Sequence, residues 1–294
     1  MAHRIWRWFA DHWVLALGLL VLLYLFLPIG VVVAMSFREA GRNAPYTLQN
    51  YKFTLDHWRH PCGAAEICGT FGTSIVIALL ATTGATILGT MMAFALARSR
   101  FRGRGATNLL VFLPMATPEI VMGSSLLALF VAGGVPLGFW TIVIAHVMFC
   151  LSFVVVTVKA RLAGLDPRLQ EAAMDLYANE AQTFLRVTLP LVAPGIVAAA
   201  LLSFSLSFDD FIVTNFNSGS TVTFPMYVWG ASQRGIPPQI NVIGTFMFLI
   251  SFGIVLIGQV AQIRRKRRAS TPLSVLTIGV TEPTPAPTPV MEKS

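Results

Sequence analysis

Charge is what this chain has least of. Only 12% of its 294 residues are charged while 55% are hydrophobic, against about 25% charged in soluble domains. That excludes an ordinary soluble fold. Acids are scarcer than bases, leaving a net charge of +8. The excess forms no single patch; Lys and Arg sit at the ends of apolar runs, as in the cytoplasmic loops of membrane proteins. It therefore gives no case for nucleic acid as a partner. Cysteine is also scarce, at three residues, and no Cys–His spacing suits a metal. There is no G-x-x-x-x-G-K-[ST] loop, no H-E-x-x-H and no G-x-S-x-G. The expectation is a chain that is not an enzyme and holds no cofactor or metal of its own.

What is present is apolar length. A bilayer core needs about 20 apolar residues per helix, and six runs meet that need: 14–36, 69–97, 107–131, 137–159, 192–216 and 240–262. The expected class is all-α, a polytopic membrane protein with six transmembrane helices. The third and fourth runs are separated only by the turn Ala132-Gly133-Gly134-Val135-Pro136. The first run has a basic start but no small-x-small cleavage site after it, so it reads as an uncleaved span.

Lys and Arg set the expected orientation. Arg4 and Arg7, then Arg98, Arg100, Arg102 and Arg104, then Lys159, Arg161, Arg168 and Arg186, then Arg264–Arg268 fall on one side. Only Arg38, Arg42, Lys52, Arg59 and Arg234 fall on the other. Both termini are then cytoplasmic. Cys150 lies inside the fourth run as a small apolar residue. Cys62 and Cys68 lie in the outer loop 37–68, where oxidation and a disulfide that ties the loop down are open to them.

The ends differ from the middle. Residues 1–13 (Ile5, Trp6, Trp8, Phe9 and Trp13 among Arg4, Arg7 and His12) form an amphipathic lead-in suited to the interface. Residues 263–294 read as a basic anchor followed by a Pro-, Thr- and Ser-rich disordered tail. The six-span body is 14–262.

Between the fourth and fifth runs, residues 160–190 are too polar for lipid. Asp166-Pro167 is a helix start, an N-cap acid before Pro at the first helical position. The helix is predicted from Arg168 to about Tyr177, with Leu169, Ala172, Ala173 and Leu176 on one stripe. Asn179 and Gln182 make a capping-box pattern for a second helix. Such a hairpin either merely links two spans or docks a partner; the small Ala172-Ala173 pair suits close approach by another surface.

Glu171-Ala172-Ala173 followed by Leu189-Pro190 resembles the EAA loop of ABC-importer permeases. Leu113-Pro114, Pro118-Glu119-Ile120-Val121, Leu206-Ser207-Phe208-Asp209-Asp210-Phe211 and Pro225-Met226-Tyr227-Val228-Trp229 look like the spermidine/putrescine permease subunits of the C-type position. The likeness covers residues 14–262. It implies a bacterial inner-membrane subunit that pairs with a second permease and receives substrate from an extracytoplasmic polyamine-binding protein. ATP and Mg would be bound on a separate ATPase dimer, which Asp166, Leu169, Glu171, Ala172, Ala173, Asp175, Leu176, Tyr177 and Ala178 would engage. One departure stands out: Tyr177 replaces the family's usual Gly, so either the first helix runs on or the turn is rebuilt around Asn179. Rival readings are an ABC permease for another small organic solute and a stand-alone secondary transporter, though the chain shows no internal repeat of the kind the latter needs.

Intramembrane acids cost several kcal/mol unless paired or wet. Glu119 follows Pro118 and is either a helix-start acid or a pathway group. Asp209 and Asp210 are either an outer-interface pair bridging to Arg234 or pathway groups, and adjacent helical positions point about 100° apart, so one of the two is expected to face the pathway. Phe208, Phe211, Tyr227 and Trp229 could add cation–π attraction for a polycation. His146 is expected to be a packed helix contact.

Overall fold

The structure is a computed structural model describing residues 2–39, 51–99, 101–166 and 168–269. Residues 40–50 of the expected outer loop with Arg42, Arg100, Pro167, the expected tail from residue 270 on, and the side chains of residues 2–11 of the lead-in lie outside the described residues. Among the described residues the only strand-like feature is an isolated bridge between Arg38 and Phe53. Everything else of regular structure is helical: α1 Ala2–Ser36, α2 Asp56–Arg59, α3 Ile67–Arg98, α4 Arg104–Ala116, α5 Glu119–Ala132, α6 Phe139–Ala163, α7 Arg168–Asp175, α8 Glu180–Thr183, α9 Leu189–Asp209, α10 Ile212–Asn217, α11 Phe224–Arg234 and α12 Pro238–Ala269.

Among the described residues five stretches are long and apolar enough to cross a membrane: His12–Ser36, Ile67–Arg98, Phe139–Ala163, Glu180–Asp209 and Pro238–Val260. The third expected span is a bent pair, α4 and α5, meeting at 109°. The bend has a local cause. Pro118 lacks an N–H and pushes Thr117 out of the helical region to φ −83°, ψ 133°. The chain restarts at Glu119.

Packing divides the chain after Ile243 into two units. In the first, α3, α6 and α9 form the core. Their contact is made possible by small side chains. Ala78, Ala81, Ala85 and Ala93 are fully buried along one line of α3. At Gly89 in the same line, an added Cβ would stand 2.7 Å from Val154 on α6. Close backbone approach of this kind is how helices associate where lipid removes the hydrophobic drive. The apolar stretch of α1 is uncovered by the rest of the chain. The second unit, among the described residues, is the remainder of α12, whose helix continues through Arg264–Arg268 to Ala269.

The fifth expected span, 192–216, is corrected by the structure. Its helix stops at Asp209, and a separate short helix, α10, follows. Beyond it, the connection from α10 to α12 is itself helical over Phe224–Arg234 as α11. At its start, α9 is continuous with α8 through a wide turn over Phe184–Thr188, where the Leu189 amide donates to the Phe184 carbonyl. The Pro190 ring would clash with the carbonyl four residues back, and a wide turn relieves that clash.

Candidate functional site

At one end of the bundle is the hairpin. The Asp166 carboxylate accepts from the Arg168 amide at 3.0 Å and starts α7. The first helix ends at Asp175, two residues before the expected Tyr177. It does not run on. Tyr177 itself takes the left-handed conformation at φ 62°, and the turn closes by Tyr177 N–H donating to Met174 O and Ala178 N–H to Ala173 O. The second helix is then capped reciprocally: Asn179 Oδ1 accepts from the Gln182 amide at 2.8 Å and Gln182 Oε1 accepts from the Asn179 amide at 3.1 Å.

None of α7 is buried. Leu169, Met174, Leu176 and Tyr177 are exposed, the last two at 82% and 98%. Glu171, Ala172 and Asp175 are exposed beside them, with Ala173 and Ala178 half-buried. The apolar stripe expected from the sequence therefore faces out of this chain. The hairpin is nonetheless tied to the spans. Phe184 packs edge-on against Phe94 of α3 at 5.2 Å. Arg98 donates to the buried Thr188 hydroxyl at 3.2 Å. Arg161 of α6 donates to the Leu191 carbonyl at 3.1 Å, its aliphatic stem lying where a side chain on Gly195 would collide with it. Lys159 joins α6 to Asn108 of α4 at 2.8 Å. Basic residues that the sequence shows as topology markers are also mechanical ties.

The opposite end of α3 lies about 48 Å away by helix rise. There the two adjacent acids part company. Asp210 is turned inward, 8% exposed. Its carboxylate accepts from the amides of Val213 and Thr214 at 3.3 and 2.7 Å and from the Thr214 hydroxyl at 2.9 Å, so it caps α10. The carboxylate lies 3.3 Å from the His146 ring of α6, and it is this ring rather than Arg234 that it faces. His146 also lies 2.7 Å from the Ser207 hydroxyl and 2.9 Å from that of Thr214. The single Thr214 hydroxyl proton goes to Asp210, so the imidazole nitrogen facing Thr214 must donate to it. This buried set links α6, α9 and α10, and makes His146 the helix contact expected of it. Asp209, one residue back, is exposed.

The aromatic residues divide likewise. Phe208 packs with Phe71 and Phe224 at 5.8 and 6.4 Å. Trp229 is 58% exposed but rests at a tilt against Phe211, ring centroids 5.4 Å apart. Tyr227 lines a cleft of about 550 Å³ with Glu66, Met226, Arg234 and Pro237. Glu119 is exposed in the first turn of α5, where a helix N-terminus favours an acid, and is not among the residues lining that cleft. Cys62 and Cys68 are joined as a disulfide, and Cys150 is a buried free thiol. Sequence reasoning missed Glu66, Phe71, Phe224 and the Ser207–Thr214 pair. The Phe and Glu positions carry no motif, and the hydroxyls find their partner only through folding.

A bent span and a helical hairpin leading straight into a further span define an ABC-type permease fold. Across 87% of its length the chain is similar to a chain of a bacterial ABC transporter involved in the import of the acidic polysaccharide alginate (TM-score 0.59, 16% identity, 96% of that chain covered). Across 68% it is similar to a chain of the MetNI methionine ABC transporter in inward facing conformations (TM-score 0.55, 14% identity, 95% of that chain covered). The chain belongs to the binding-protein-dependent transport system inner membrane component family, which it matches over residues 85–269. Among curated relatives, it is 39% identical over 237 residues to the spermidine/putrescine transport system permease protein PotC of Haemophilus influenzae, covering 80% of this chain and 91% of that one. It is 35% identical to the putrescine transport system permease protein PotI of Escherichia coli, covering 83% and 88%. It is an inner-membrane permease component of an ABC importer.

Proposed function

We propose that this chain is one of two permease subunits of a bacterial polyamine importer, with both termini in the cytoplasm. Its hairpin docks on a separate ATPase pair that binds ATP and Mg, and an extracytoplasmic binding protein delivers substrate at the opposite end. The single observation that carries the docking is a hairpin with exposed apolar side chains running without a break into α9. A connector with no partner would turn Leu176 and Tyr177 inward or replace them with polar residues. The names of the curated relatives supply the substrate class.

The mechanism follows from the ties. Closure of the ATPases displaces the hairpin. Phe184–Phe94 and Arg98–Thr188 pass that displacement to α3, and Arg161 passes it to α6. α9 moves with α8 because the two are one helix. Differential docking to the two ATPase states then shifts the permease between outward- and inward-facing populations. Along the route, Asp209 is the carboxylate left free to replace water around an ammonium group, and Tyr227 and Trp229 offer aromatic faces. Asp210 holds the break that directs Asp209 outward, Phe208 braces it, and Glu119 contributes from the bend of the third span.

The test is uptake of radiolabelled spermidine and putrescine by cells that lack their own polyamine importer and express this chain with its partner subunits. ATP-dependent uptake is expected. Uptake driven by an ion gradient with no ATPase present would overturn the reading.

A further inference from the structure

One ring of α6 is bonded to both sides of the break that ends α9. His146 is 1% exposed. Its Nδ1 lies 2.7 Å from the hydroxyl of Ser207, in the last turn of α9. Its Nε2 lies 2.9 Å from the hydroxyl of Thr214, in the first turn of α10. Asp209 and Asp210 lie between these two anchors. Thr214 gives its hydroxyl proton to Asp210, so Nε2–H donates to Thr214. In a neutral ring Nδ1 then accepts from the Ser207 hydroxyl, and in a protonated ring it donates to it. Both anchors hold in either form.

The neighbouring helices are placed by other contacts. At the far end of α10, the Thr141 hydroxyl of α6 donates to the Asn217 carbonyl at 2.8 Å, and Asn217 Nδ2 donates to the Gly123 carbonyl of α5 at 3.3 Å. Phe208 is braced by Phe71 of α3. A packing contact between α6 and α9 needs only apolar volume, which Val154 and Ala199 supply elsewhere on these helices. What His146 adds is direction, since bonds on two edges of one ring clamp residues 208–213, the stretch that carries Asp209.

We infer that His146 is a positioning residue for transport: it holds the turn from which Asp209 presents its carboxylate to the polycation. Buried as it is, the ring acts through that turn and not by touching substrate. The inference rests on the importer reading and on Asp209 as a pathway carboxylate, and deepens both.

The experiment uses the complete transporter in proteoliposomes with saturating spermidine-loaded binding protein. It reads radiolabelled spermidine moved per ATP hydrolysed, beside the melting temperature of the complex. His146→Leu fills the volume and makes neither bond. It is expected to lower spermidine moved per ATP about tenfold, because fewer molecules hold Asp209 in its competent direction, while the rate of ATP hydrolysis stays at the wild-type value. His146→Gln, whose amide both donates and accepts, is expected to recover most of the loss. Ser207→Ala removes one anchor and a single oxygen, and is expected to give a smaller loss of the same kind even where His146→Leu does not assemble. In an Asp209→Asn background, His146→Leu should lower transport no further, because both changes act on one carboxylate. An equal further loss in that background would make the ring a structural contact and overturn the inference, with the importer reading intact. So would a fall in melting temperature and ATP hydrolysis with His146→Leu while Ser207→Ala behaves as wild type. Wild-type transport by Asp209→Asn itself would remove the pathway role of Asp209, and the inference with it. A wild type that moves no spermidine with ATP would overturn the importer reading and everything resting on it.

Discussion

Replacing Tyr177 with Gly should tighten the hairpin. At φ 62° a side chain costs about 1–2 kcal/mol that Gly does not incur. Gly gives back about 0.4–1 kcal/mol through the freedom it adds to the unfolded chain. Tyr177 is 98% exposed, so its removal takes almost no packing from this chain. The net gain is about 0.5–1 kcal/mol, a factor of about two to five in a local opening equilibrium. The assay is amide hydrogen exchange of the isolated chain in detergent, followed at residues 176–178, whose amides close the turn onto Ala172, Met174 and Ala173. Tyr177→Gly should slow exchange by that factor. Tyr177→Ala, which keeps the unfavourable conformation, should not. Equal slowing in both variants, or faster exchange with Gly, would refute a left-handed turn at this position.

Other outcomes follow from the same geometry. Gly89→Val places atoms within 2.7 Å of Val154 and should cost about 1–3 kcal/mol as overpacking, read as a lower melting temperature of the purified chain; unchanged melting would contradict the close α3–α6 contact. Asp210→Asn disturbs three accepted hydrogen bonds and the His146 pair. Its cost should be about 1–3 kcal/mol of stability, the penalty for leaving buried donors short of an acceptor. Asp209→Asn should leave melting unchanged and lower polyamine uptake, and the reverse pattern would exchange the two roles. Glu171→Lys, on an exposed face, should abolish uptake while membrane levels stay normal, and normal uptake would count against docking there.

The spans were legible in the sequence because lipid demands long apolar runs, a requirement each run meets alone. The Asn179–Gln182 cap was legible because both partners lie within one turn. The break of the third span was marked by Pro118, whereas Pro114 stays inside α4, and nothing local sets the 109° bend. The end of α9 at Asp209 was not legible. No Pro or Gly marks it, and its cause is a carboxylate that finds His146 more than sixty residues away. Tyr177 shows a second limit. Its type argues against the left-handed region, yet the caps on both sides of the turn impose it. The cleft was hidden for a similar reason, since Glu66 comes beside Tyr227 only when the disulfide loop meets α11. Of the residues named for the pathway, the structure gathers Phe208, Asp209, Asp210, Tyr227 and Trp229 onto α9, α11 and the break after α9, and leaves Glu119 on the bent third span.

The central claim is that this chain is driven through its hairpin by a separate ATPase. It is tested most directly by purifying the chain from its native membrane in mild detergent, wild type beside Glu171→Lys, and identifying by mass spectrometry what accompanies each. The account predicts a second permease with both, and an ATPase with the wild type alone. Recovery of the wild-type chain with no ATPase, or of the ATPase equally with both, would contradict it.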